Sequence, residues 1–96
     1  MSVGFEWDAR KATLNLNKHR VSFDEASTVF NDPLAVIFDD LDHSLRERRE
    51  IIVGHSITDR LLLVCFSERT DMIRIFSARP LTRGERRDYE ENVHNK

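Results

Sequence analysis

The feature that most constrains this chain is a change of apolar period at Asn31-Asp32-Pro33. Upstream, apolar residues recur at spacings of three and four. Downstream they gather into short runs rich in Val, Ile, Leu and Phe. The first pattern suits helices, which repeat every ~3.6 residues, and the second suits strands, which repeat every ~2. Helices followed by a run of strands predict an α+β fold rather than alternating βαβ units.

Local signals place the elements. Val3–Trp7 is a short apolar run expected as an edge strand, and Asp8 caps a helix over Ala9–Lys18 whose apolar stripe is Ala12, Leu14 and Leu16. Ser22-Phe23-Asp24-Glu25 is a capping box, in which the hydroxyl accepts from a first-turn N–H and the glutamate reaches back. Val21 and Ala26 supply its staple, and Phe23, Ala26, Val29 and Phe30 line one face of a second helix that stops before Pro33. Leu34–Phe38, Glu50–Ile57, Leu61–Ser67 and Met72–Ala78 are the expected later strands. The gaps Thr58-Asp59-Arg60 and Arg69-Thr70-Asp71 are of turn size, so the strands they join pair antiparallel. Thr82-Arg83-Gly84-Glu85 is a second capping box, opening a final helix to about Asn92 whose few apolar residues predict weak docking or packing on a partner. The expected order is β-α-α-β-β-β-β-α, an antiparallel sheet with two N-terminal helices on one face and a C-terminal helix. It forms one domain over residues 1–96.

Charge matters here by location. The chain is 33% charged yet carries a net charge of only −2, so a nucleic-acid surface has to be a local basic patch rather than a basic protein. Arginines gather at Arg46, Arg48 and Arg49, at Arg69, Arg74 and Arg79, and at Arg83, Arg86 and Arg87. The single Cys65 excludes an internal disulfide and reads as a small buried hydrophobe, and no Cys/His ladder has zinc-ligand spacing. With no secretory signal and no apolar stretch of membrane length, the expected location is the cytoplasm.

Several strings resemble, in order, the BrnT family of ribonuclease toxins. They are Phe5-Glu6-Trp7-Asp8, Lys18-His19-Arg20-Val21-Ser22-Phe23, Asn31-Asp32-Pro33, and Asp42-His43-Ser44 with Glu47 and Arg49. Arg74-Ile75-Phe76-Ser77-Ala78-Arg79 and Arg86-Arg87-Asp88-Tyr89-Glu90 follow. The family usually has Gly where this chain has Arg20, at a post-helix position that favours left-handed backbone. The resemblance implies a RelE-like microbial ribonuclease fold and RNA cleavage without metal or cofactor. It also implies a ribbon-helix-helix antitoxin that neutralises the toxin and carries the complex to operator DNA.

The residue types suit that chemistry. Metal-free RNA cleavage needs a base for the ribose 2′-OH, charge stabilisation at the phosphorane and help for the departing 5′-oxygen. His43 and Glu47, in the polar Asp39–Arg49 loop, are the proton-transfer candidates, and Arg49, Arg69 and Arg79 are the phosphate ligands. Ile73 and Ile75 share one face of their strand, which puts Arg74 and Phe76 on the other, where a cation and a ring suit RNA binding; Ser77 and Arg79 fall on the isoleucine face. Lys18 and His19, at the end of the first helix, are further RNA-binding candidates, although a helix C-terminus favours cations in any case. The competing function is a non-catalytic module that completes an antitoxin–DNA complex as co-repressor.

Overall fold

The computed structural model describes residues 4–41 and 47–94 of the chain. The elements run β1 (Gly4–Glu6), α1 (Ala9–His19), α2 (Phe23–Thr28), a 3-10 turn (Val29–Asn31), β2 (Val36–Asp39), β3 (Glu50–His55), β4 (Leu61–Glu68), β5 (Met72–Pro80) and α3 (Arg83–His94). One five-stranded sheet has the order β1-β5-β4-β3-β2.

The capping signals act as read, with one change. Asp8 accepts from the backbone N–H groups of Arg10 and Lys11 and starts α1. Ser22 Oγ accepts from the Glu25 N–H at 3.0 Å, but the Glu25 carboxylate turns instead to Arg60, Ser56 and Thr58. Thr82 and Glu85 close a complete box, with Glu85 N–H donating to Thr82 Oγ1 and Thr82 N–H donating to Glu85 Oε1. Arg20 ends α1 in the left-handed region at φ 60°, as its post-helix position predicts.

Two expectations need correction. The sheet is not wholly antiparallel, because β1 pairs parallel with β5 in the register Phe5↔Ile73. No hairpin joins these two strands, so turn length does not set their direction. The chain leaves β1 at Glu6, opposite Arg74, and α1 continues the same way along β5, with Asn15 beside Ala78.

The α1 stripe is also different. Leu14 and Leu16 are exposed, and the buried side chain is Asn15. Its amide donates to Val21 O at 3.0 Å and Ala78 O at 2.8 Å, and its oxygen accepts from Ala78 N–H at 3.1 Å. Asn15 thus acts as a single peptide unit added to the outer edge of β5, which satisfies backbone groups that would otherwise be buried without partners.

The C-terminal helix α3 rests on the sheet through few side chains, in keeping with the weak docking that its sparse apolar face predicts. The α1/α2 face is a core of Val21, Phe23, Ala26 and Val29 against Ile52, Leu62, Val64, Phe66, Ile73, Ile75 and Ala78. The other face holds Val53, Leu61 and the α3 residue Tyr89, with Leu81 and Val93 packed against them. Tyr89 is 8% exposed and donates from its hydroxyl to Leu34 O, so one aromatic anchors a helix that looks almost wholly polar in sequence.

Candidate functional site

A bulge in β5 sets the site. Cys65 pairs with Ser77 and Phe66 with Ile75, which leaves Phe76 as the extra residue. An extra residue reverses the alternation beyond it. Ile73 and Ile75 face the α1/α2 core, and after the bulge Ala78 takes that face, fully buried. Ser77 and Arg79 therefore leave the isoleucine face on which simple alternation places them. They pair with Cys65 and Leu63 on the opposite side of the sheet, which α3 covers only in part.

On the part beyond α3 the structure brings together two of the predicted residues, Arg49 and Phe76. The Arg49 guanidinium lies 3.9 Å from the Phe76 ring centroid, and Lys11 Nζ lies 5.7 Å from the same centroid. Lys11, Asp40, Arg49, Cys65, Phe76 and Ser77 line a shallow depression of about 170 Å³. Burial pushes the Cys65 thiol pKa up, so it is no ready nucleophile. Lys11 and the buried Asp40 were absent from the sequence reading. Nothing local marks Lys11 out, because its place depends on the Asn15 contact with β5.

Glu47 and Arg69, predicted separately, form an ion pair of 2.9 Å that joins the loop before β3 to the end of β4. A hydrogen bond from Ser67, then the nearby Arg69 and Arg49 cations, hold the Glu47 carboxyl below its ordinary pKa. Both side chains are partly solvated, so the pair contributes roughly 0–1 kcal/mol to stability and its interest is chemical.

The remaining candidates are more dispersed. Arg74 is tied to Glu6 of β1 at 2.7 Å. Arg79 forks onto Glu85 at 2.7 and 2.9 Å, where Arg79 first, then the Thr82 backbone N–H, lower the Glu85 pKa to about 2. Arg79 lies at the Leu63 end of the sheet, and Arg49, one residue before the Glu50 partner of Phe66, lies towards the other end. Lys18 and His19 occupy the far end of α1, seven and eight residues beyond Lys11, or about 10 Å along the axis. His43 lies outside the described residues.

A second, more apolar groove of about 230 Å³ runs between β2 and α3. Its charged lining residues are the acids Glu85 and Asp88, with no base, so it is the wrong surface for a polyanion. His55 is held by its neighbours, its backbone N–H donating to Asp32 at 2.7 Å and its ring edge-on to Tyr89. Among the described residues no group of three or more His, Cys, Asp or Glu side chains converges to hold a metal, and no helix is long and apolar enough to cross a membrane.

Comparison with curated protein sequences finds no match. Among solved structures, the fold is similar to the 1.1 Å crystal structure of the ribonuclease toxin BrnT of Brucella abortus. The TM-score is 0.65 at 18% identity, covering 85% of this chain and 100% of that one. A family model described as the ribonuclease toxin BrnT of type II toxin–antitoxin systems matches residues 7–85. That span takes in α1, the Glu47–Arg69 pair, the β5 bulge and the start of α3, and the chain belongs to the BrnT family of ribonuclease toxins.

Proposed function

We propose that this protein is a metal-independent RNA endonuclease that arrests translation and growth in the cytoplasm until an antitoxin neutralises it. As a type II toxin it pairs with an antitoxin and acts on RNA. The observation that carries the mechanism is Arg49, stacked on Phe76 beside an ionised Glu47.

RNA brings its own nucleophile. Its 2′-oxygen attacks the adjacent phosphorus, the 5′-oxygen leaves, and the products are a 2′,3′-cyclic phosphate and a 5′-hydroxyl. Glu47 and His43 serve the two proton transfers, one taking the 2′-OH proton and the other supplying a proton to the departing 5′-oxygen. Arg49 and Arg69 stabilise the phosphorane, whose added negative charge matches guanidinium forks. Arg79 binds a more distant phosphate, and Arg74 and Phe76 complete the RNA surface. The partner is a ribbon-helix-helix antitoxin that carries the complex to operator DNA, and the fold is of the RelE-like microbial ribonuclease type. The resemblance in the strings from Phe5 to Glu90 supports both statements.

Purified protein should cut single-stranded RNA with EDTA present, and Arg49→Ala should slow cutting about 100-fold while leaving the fold intact. Activity that returns only on adding a divalent metal would sink the metal-independent mechanism. Induction without the antitoxin should arrest growth with loss of messenger RNA; harmless expression would favour the co-repressor module.

A further inference from the structure

We propose that Lys11 is a phosphate-binding residue of this site, and that Lys11 and Arg49, rather than Lys18 and His19, mark where the RNA backbone crosses the domain. The inference rests on the ribonuclease reading and names which end of α1 meets substrate. Two cations from distant parts of the chain are brought to one ring, Arg49 at 3.9 Å and Lys11 at 5.7 Å from the Phe76 centroid. They line the same depression, whose charged lining residues, among those described, are Lys11, Arg49 and Asp40.

The geometry gives each group a part. A guanidinium stacks through its face and hydrogen-bonds through its edge, so a contact through the face with Phe76 fixes the plane in which Arg49 donates. That makes this face of Phe76 a platform for Arg49 rather than for a base. The Lys11 ammonium is farther from the ring, on an exposed and flexible stem, and acts as a movable point charge. Asp8, the acid three residues earlier, accepts the backbone N–H groups of Arg10 and Lys11. Asn15, one turn after Lys11, fixes α1 against Ala78 and so sets the height of Lys11 along β5. Lys18 is about two turns farther on, towards the end of α1 where the Arg20 carbonyl accepts from Arg60.

The test uses the full chain and a short single-stranded oligoribonucleotide with every 2′-OH methylated, which binds but cannot be cut. Affinity is followed by fluorescence anisotropy from about 50 to 200 mM salt, where each single-strand phosphate contact contributes about 0.7 to the slope of log K against log [salt]. Lys11→Ala should lower the slope by about 0.7 and the affinity about tenfold. Lys11→Arg should restore both, and Lys18→Ala should leave both unchanged. The melting temperature of Lys11→Ala should stay within about 3 °C of the parent, since the side chain is exposed. If the parent binds and Lys11→Ala keeps its full slope, or Lys18→Ala loses as much, the Lys11 assignment is wrong and the ribonuclease reading stands. If the parent does not bind the oligonucleotide, both readings fall together.

Discussion

Asn15 and Ala78, sixty-three residues apart, are joined by a pair of hydrogen bonds in which the Asn15 amide faces the backbone N–H and C=O of Ala78 at 3.1 and 2.8 Å. The same amide also donates to Val21 O. Removing it leaves two carbonyls and one N–H in a buried setting with no partner. Asn15→Ala should therefore destabilise the domain by about 2–4 kcal/mol, or roughly 10–25 °C in a thermal melt. A loss below about 1 kcal/mol would mean that α1 is held mainly by its other contacts.

Arg20 tests the opposite sign. It sits at φ 60° with no left-handed preference of its own, and its backbone N–H and C=O are both already used, by Leu16 and Arg60. Arg20→Gly relieves the Cβ strain, and the greater freedom of Gly in the unfolded chain offsets part of that gain. The expected net stabilisation is about 0.5–1 kcal/mol, read as a shift of the urea midpoint at constant slope.

Acid stability follows from Glu25. Arg60 first, then Thr58 and Ser56, lower its pKa from 4.5 to about 2. A group whose folded pKa is depressed stabilises the fold fully above its unfolded value, and that stability is lost as pH falls through the folded one. Glu25→Gln should thus melt below the parent at pH 7, and the gap should narrow from about pH 4.5 towards 2. A gap that does not change with pH would assign the effect to lost hydrogen bonds alone.

The pH profile of cleavage separates the proton-transfer candidates. Ser67, Arg69 and Arg49 hold the Glu47 pKa below its ordinary value, so a Glu47 base stays ionised at neutral pH and its limb falls on the acid side of the ordinary carboxylate range. A His43 base gives a rise through about 6.5 instead. The profile of Glu47→Gln decides whether any remaining limb belongs to His43.

Arg79 is held by two hydrogen bonds to Glu85 and one to the Pro80 carbonyl. Arg79→Ala should cost only a few degrees of melting temperature, because its pair with Glu85 is about one-third exposed on each side. Cleavage should fall about tenfold or more, and Arg79→Lys should not restore it, since the planar fork is gone. Intact cleavage by Arg79→Ala would confine this arginine to holding the start of α3.

The sequence by itself determined the elements. Capping at Asp8, Ser22 and Thr82, the stop at Asn31-Asp32-Pro33 and two turn-sized gaps are local signals, readable because they act within a few residues. It also put Glu47, Arg49 and Arg69 among the site candidates, since charge clusters in a polar loop and at a strand end are visible without a fold. Only tertiary structure decided which of them meet. The Phe76 bulge reversed the facing of Ser77 and Arg79, and a one-residue slip is invisible to an alternation rule that assumes none. The parallel β1, the docking of α3 through Tyr89 and the arrival of Lys11 beside Arg49 all depend on contacts between distant segments. No local pattern encodes such pairs, because backbone groups far apart in sequence choose partners according to which buried donors and acceptors remain unsatisfied.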